Sequence, residues 1–181
     1  MIEVWAYTAC AGVWIGIVFG WLIPMIRQRI VYEIYAAFGV GIMICLIVLR
    51  AMVWKRGDMR PLWYIGYALF IPAVVLVIPA FITLKRKGKP RSGWEHTTVL
   101  INSGIFRVVR HPLYLGGAIL TLGMVLVVQS VPSVISGIVA TFCYWMASKK
   151  EEKFNIEKFG ENYQEYMKNV PRWNPIKGTR K

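Results

Sequence analysis

The sequence predicts an all-α fold: a polytopic membrane protein of about five transmembrane helices, followed by an amphipathic C-terminal helix on the cytoplasmic side. Three observations carry the prediction. The chain is 56% hydrophobic and only 17% charged, too apolar for an ordinary soluble domain. Its apolar residues gather into runs near the roughly 20 residues that a helix needs to cross about 30 Å of hydrocarbon. Its basic residues gather between those runs, mostly on one side.

The runs are Val4–Ile26, Val31–Trp54, Leu62–Leu84, Leu113–Gln129 and Val131–Ala147. The last two are short for a full span. Gln129-Ser-Val-Pro132 between them carries the small polar residue and proline of a tight turn, so they read as one helical hairpin. Pro72 and Pro79 fall inside the third run, where proline kinks a helix and frees backbone carbonyls. No cleavable leader is expected, because Met1-Ile-Glu3 lacks a basic segment and the first run is long enough to span. The expected organisation is a single membrane domain, 1–181. Residues 1–84 supply three spans, and 85–181 supply a loop, the hairpin and the tail.

Charge orients these elements. The loop Lys85–Pro112 holds seven Lys/Arg, the tail from Ser148 nine, and Arg27–Ile30 two, all on one side of a five-span topology. The other side holds only Lys55, Arg56 and Arg60. The positive-inside rule then puts the N-terminus outside and the C-terminus in the cytoplasm. The net charge of +13 reads as a belt attracted to anionic lipid. It does not read as a nucleic-acid surface, because the basic residues alternate with spans instead of lining a groove. Cys10, Cys45 and Cys143 lie inside spans, and His96 and His111 are the two histidines, so no metal site is expected. Glu33 and Arg50, near opposite ends of the second span, read as side chains snorkelling to the interface, with a contact to substrate as the alternative. Gly12, Gly16 and Gly20 form one smooth helix face, for a helix of the same chain or for a homodimer contact.

The tail is too charged to span. Phe154, Phe159, Tyr163, Tyr166 and Val170 still recur on one helical face, giving an amphipathic helix that Gly160 divides and Pro171 and Pro175 end.

Two motifs at the feet of the hairpin carry the chemistry. The first is Ser103-Gly-Ile-Phe-Arg-Val-Val-Arg-His-Pro-Leu-Tyr-Leu-Gly-Gly117. Pro112 suits the first turn of a helix, whose free N–H groups and dipole favour an anion. Arg107 and Arg110 add positive charge, and His111 adds an imidazole that simple membrane anchoring does not require. The second is Glu151-Glu-Lys-Phe-Asn-Ile-Glu-Lys-Phe-Gly160, running on through Tyr163 and Tyr166 to Val170-Pro171-Arg172. Neighbouring helical residues point about 100° apart, so one glutamate is expected to face a site while the other faces solvent or a lysine. A carboxylate favours an ammonium or a sulfonium. The hairpin brings both feet together, and a zwitterionic amino-acid group attached to something larger fits the pair. S-adenosylmethionine has that form, with Tyr114 and the tail aromatics as surface for its adenine.

These motifs resemble the isoprenylcysteine carboxyl methyltransferase family, to which phospholipid N-methyltransferases are related in design. The resemblance covers about residues 97–178 and is specific as an ordered pair of motifs. It implies a multi-span helical fold, S-adenosylmethionine as cofactor, and a lipophilic acceptor from the bilayer, most simply a carboxylate of the isoprenylcysteine type, with an amine as the alternative. It implies that Arg110, His111, Leu113, Tyr114, Glu151 and Glu152 surround the cofactor, and it leaves Arg107, His111 and Lys150 as the catalytic candidates. The chain departs from the prenylcysteine-modifying members at two places. Ala147 stands where they have an arginine one turn before the paired glutamates, and Asn169 stands where they have one before Val-Pro, with Arg172 nearby. Methyl transfer is an in-line displacement that asks mainly for alignment and exclusion of water, and an amine acceptor would also need a base such as His111 or a glutamate. Two readings from other classes are a nicotinamide-dependent membrane reductase and a non-catalytic lipid-binding protein.

Overall fold

The computed structural model describes residues 2–28, 30–52, 57–88 and 97–179. Arg29, Lys55, Arg56, Lys89, Arg91, His96, Arg180, Lys181 and the side chain of Arg50 lie outside the described residues, so those parts of the charge pattern rest on sequence. Every regular element among the described residues is helical. Helix α1 (Ile2–Ile17) passes through a π-turn, Val18–Leu22, into α2 (Ile23–Arg27). Pro24 has no N–H to give to the carbonyl four residues back, which accounts for the slip in register just before it. Then come α3 (Val31–Met52), α4 (Arg60–Lys87), α5 (Pro112–Val128), α6 (Val131–Phe159), α7 (Glu161–Asn169) and α8 (Pro175–Thr179).

Among the described residues four stretches are long and apolar enough to cross a bilayer: Val4–Arg27, Val31–Leu49, Arg60–Lys87 and Val131–Phe159. Helix α5 is apolar but shorter. The chain is therefore built as an integral membrane protein. Its outer surface agrees, since Trp5, Phe19, Tyr64, Ile71 and Ile138 are all more than half exposed. In water such a surface would be a liability, and against lipid it needs no cover.

The hairpin forms as its turn chemistry requires. Gln129 adopts the left-handed conformation (φ 54°) and donates its N–H to Val125. Ser130 then caps α6 in a reciprocal exchange with Ser133. The Gln129 side chain makes two further bonds to the backbone of Met59, at 3.0 and 2.9 Å, fixing the turn to the start of α4. Helix α6 runs twelve residues past the expected end of the span at Ala147, carrying the second motif away from the apolar region as one rigid rod. It stops at Gly160, whose φ of +59° turns the chain into α7.

Close backbone contact joins α4 to α5. A Cβ on Gly66 would lie 2.7 Å from the Gly123 carbonyl oxygen, and one on Gly123 would lie 2.7 Å from that of Gly66. The glycines of α1 behave differently. Among the described residues nothing lies within 4 Å of a Cβ built on Gly12, Gly16 or Gly20, so no described element packs on that face. Glu33 also departs from expectation. It is 2% exposed and accepts a bond from Trp21 Nε1 at 2.9 Å, so it points into the bundle and does not snorkel.

Substituting Gly123→Ala should force α4 and α5 apart and lower stability by about 1–3 kcal/mol, the usual cost of overpacking. Thermal unfolding in detergent checks this.

Candidate functional site

The site forms where the hairpin feet meet the tail. Arg110 and His111 precede α5, and Glu151 and Glu152 lie on α6 facing them. Glu152 is buried and accepts from two guanidinium groups. Arg110 donates to its Oε1 from Nε (3.1 Å) and Nη2 (2.6 Å). Arg172 donates to Oε1 from Nε at 2.9 Å and to Oε2 from Nη2. The Nη1 of Arg110 donates to the carbonyls of Met167 and Val170, and its backbone N–H donates to Pro171 at 3.0 Å. Arg172 also lies over the Trp145 ring, 4.8 Å from its centre, and Trp173 packs edge-on against that ring. This Arg–Glu–Arg cluster straps the tail across the feet of the hairpin. Tyr163, Tyr166 and Val170 are thereby buried, and the Tyr166 hydroxyl donates to the Phe106 carbonyl.

His111 sits between the glutamates. Its Nδ1 is 3.4 Å from Glu151 Oε2 and its Nε2 is 3.4 Å from Glu152 Oε1. The second contact is close enough for charge attraction but is not aligned as a hydrogen bond, and Nε2 is left as a buried donor without an aligned acceptor among the described residues. Burial pulls the imidazole pKa down. The two carboxylates outweigh that and raise it above its ordinary value of 6.5. His111 stacks on Tyr114, with ring centres 5.7 Å apart.

Beside this cluster lies a cavity of about 450 Å³. Its polar end is lined by Glu33, Tyr32, Arg110, His111, Tyr114, Glu151, Asn155, Tyr163 and Tyr166. Its apolar end reaches between the helices to Val40, Met43, Val77, Leu120 and Tyr144. At about 300–1,000 Å³ a pocket holds one drug-sized ligand.

The structure brings Arg110, His111, Leu113, Tyr114 and Glu151 to this cavity. Two expectations about the glutamates change. Both point inward, because the strap recruits Glu152 while Glu151, about 100° around α6, faces the cavity. Glu152 does not line the cavity, so its partners are the two arginines. Arg107 ends a short 3-10 turn, Gly104–Arg107, and is exposed on an outer groove away from the cavity. Lys150 does not line the cavity either, for it precedes Glu151 by one position and is turned away. Sequence reasoning missed Tyr32, Asn155 and Tyr144 as lining residues. For Glu33 it set a substrate contact second to snorkelling, although an ionisable group within an apolar span is a functional candidate by default.

The residues fit S-adenosylmethionine on their own chemistry. Glu151 offers a half-buried carboxylate to a cation. The first-turn N–H groups of Leu113 and Tyr114 have no partner within α5, where the first bond runs from Leu115 to the His111 carbonyl. The His111 Nε2 is a buried donor beside them.

The phospholipid methyltransferase family profile matches residues 62–162, more than half of the chain. Among curated relatives, a methanethiol S-methyltransferase of Pseudomonas deceptionensis is 28% identical over 60% of this chain and 42% of its own length. A protein-S-isoprenylcysteine O-methyltransferase of Xenopus laevis is 34% identical over 48% of this chain and 30% of its own. One of the same name from Dictyostelium discoideum is 25% identical over 65% and 50%. The matches therefore span half or less of these relatives' length. No solved structure matches the chain.

Two outcomes are expected of the strap. Glu152→Gln removes the buried charge that Arg110 and the partly exposed Arg172 share and should cost about 3–5 kcal/mol. It should release the tail, read as faster amide exchange across Glu161–Val170. His111, whose pKa is raised in the folded protein, contributes stability that is full below about pH 6.5 and fades as pH rises through the raised value. The difference in melting temperature between the parent and His111→Gln should accordingly shrink as pH is raised above 6.5.

Proposed function

The chain belongs to the phospholipid methyltransferase family, and we propose that it is an integral membrane methyltransferase that uses S-adenosylmethionine to methylate a lipophilic acceptor. The acceptor we infer is first a carboxylate of the isoprenylcysteine type. The observation that carries the reading is the division of one cavity into a polar end, with Glu151 and His111, and an apolar end between the spans. A polar cofactor and a lipophilic acceptor need such an arrangement to meet.

When bound, S-adenosylmethionine would supply a methyl group on a sulfonium. Glu151 holds its ammonium, and the start of α5 with His111 holds its carboxylate. Tyr114, Phe159, Tyr163 and Tyr166 close the polar end and exclude water, which strengthens each charge contact inside. Helices α5 and α6 hold these groups on one rigid hairpin, so their work is alignment. Glu152 and Arg110 keep the tail in place.

One observation favours an amine acceptor as a second reading. Glu33 lines the cavity opposite the hairpin, and a second carboxylate there favours a group that is cationic or donates a proton. The arginines that distinguish prenylcysteine-modifying relatives point the same way. Ala147 is fully buried in the position of one, and Asn169 bonds to Glu165 on the surface in the position of the other.

The proposed topology has five spans, counting α5, with the N-terminus outside and α7 at the cytoplasmic face. Its support is the charge asymmetry of the sequence. The open glycine face of α1 supports a homodimer contact in the same spirit. Anionic lipid is the proposed neighbour of the basic belt.

Glu151→Gln should weaken S-adenosylhomocysteine binding about 10- to 150-fold, the loss of one charge-assisted hydrogen bond. Calorimetry on the detergent-purified protein measures it, with exposed Glu161→Gln as an unchanged control. A Glu151→Gln protein that folds and binds like the parent would remove Glu151 from the site. Binding of NADPH in place of S-adenosylhomocysteine would favour a reductase. Reporter fusions at Lys181 and near Arg60 should fall on opposite sides of the membrane.

A further inference from the structure

The apolar end of the cavity is closed. Its deepest lining residues are Met43 on α3, Val77 on α4, Leu120 on α5 and Tyr144 on α6. One turn further in the same direction stand Leu46, Ala73, Met124 and Ala140, at 1%, 1%, 5% and 0% exposure, and none of them lines the cavity. The four helices thus pack shut beneath it.

Tyr144 lies across this floor. Its ring fits a notch made by two missing side chains on two different helices. A Cβ on Gly39 of α3 would lie 2.8 Å from the ring, and one on Gly117 of α5 would lie 2.9 Å from it. Its hydroxyl reaches 3.8 Å from the sulfur of Met43. The ring therefore reaches from α6 toward both α3 and α5, and its hydroxyl end lies against α3. Tyr144 precedes Glu151 by seven residues, which at 1.5 Å per residue is about 10 Å of depth between the polar wall and the floor.

We propose that Tyr144 is the floor of the acceptor chamber and sets the longest apolar chain the site accepts. This rests on the methyl-transfer reading and narrows its substrate class to acceptors whose chain ends above the Tyr144 ring. A chain that reaches the ring finds it seated where even a methyl group on Gly39 or Gly117 would clash with it. Removing the ring opens the space the two glycines leave. An alkyl group extends into that space without moving a helix.

The test uses N-acetyl-S-alkylcysteines and the matching alkylamines, with chains from butyl to hexadecyl, compared at equal mole fraction in the micelle. The parent should methylate the shorter members and lose roughly tenfold or more in kcat/KM once the chain passes the floor, the scale on which an apolar pocket rejects excess length. Tyr144→Leu should bring the long-to-short ratio close to one, and Tyr144→Phe should keep the parent's cut-off, since the ring sets the limit. S-adenosylhomocysteine binding reports that each variant is folded. Should Tyr144→Leu fail to fold, Gly117→Ala, which presses on the ring from α5, should move the cut-off as Tyr144 moves. A parent that accepts every length alike, or an unchanged cut-off in folded Tyr144→Leu, overturns the floor and leaves methyl transfer standing. No methyl transfer to either head group at any length overturns both.

Discussion

The polar end of the molecule is assembled on one buried carboxylate. Glu152 lies at the edge of an apolar bundle, where an uncompensated charge costs several kcal/mol, so its position demands cationic partners. It has two, Arg110 from the α5 foot and Arg172 from the far end of the tail. A guanidinium presents a planar fork and has donors left over after meeting a carboxylate. Arg110 spends the remainder on the carbonyls of Met167 and Val170, the last turn of α7 and the residue after it, where helix carbonyls lack partners. One ion cluster thus ties both feet of the hairpin and the tail into a single wall. The other features of the polar end follow from it: the burial of Tyr163 and Tyr166, the enclosure of the cavity, and the orientation of Glu151.

The adjacent glutamates divide the work because a helix turns. With Glu152 fixed by two arginines, Glu151 has only one direction left, and that direction is the cavity. His111 lies between them and touches both at 3.4 Å. Its raised pKa is the electrostatic consequence of two carboxylates acting against burial. The imidazole therefore brings positive charge to a region that Glu33 and Glu151 make acidic. A ligand carrying both signs of charge can exchange contacts with all three groups, whereas a simple anion or cation satisfies only part of the wall.

Much of this was legible in the sequence, for identifiable reasons. The apolar runs became helices because length and hydropathy leave few alternatives in a bilayer. The hairpin turn at Gln129-Ser130 and the break at Gly160 were readable because glycine, serine and proline have fixed conformational roles. The pairing of the two motifs followed from the hairpin. The identity of the inward glutamate did not follow, because it depends on Arg172, twenty residues further on, whose approach is a tertiary event. Arg107 and Lys150 stood out because positive charge near a motif is conspicuous in sequence, while a position outside the cavity lining is not. Glu33 read as an interfacial side chain because its distance from the helix end is the same whether it points outward or into the bundle. The direction was set by Trp21, at the π-turn of α1–α2. No one-dimensional pattern shows Tyr144, since its seat is made of absent atoms on two other helices.

The two ends of the cavity also differ in what can vary. At the polar end, each residue is held by a charge or a hydrogen bond to another element, so a substitution there disturbs the strap as well as the ligand. At the apolar end, the constraints are van der Waals contacts among Tyr144, Gly39 and Gly117, and a change of volume at one of them is felt by its immediate neighbours. On the proposed reading, cofactor binding and acceptor length are set by different kinds of interaction, on parts of α6 about two turns apart. A rod that is continuous from Val131 to Phe159 carries both, so the depth of the chamber stays fixed relative to the charged wall even if the tail opens. On that reading acceptor selection lies with the rigid spans, while the polar end is walled by the strap, whose Arg172 is the one member of the Glu152 cluster with appreciable exposure, at 24% of its side chain.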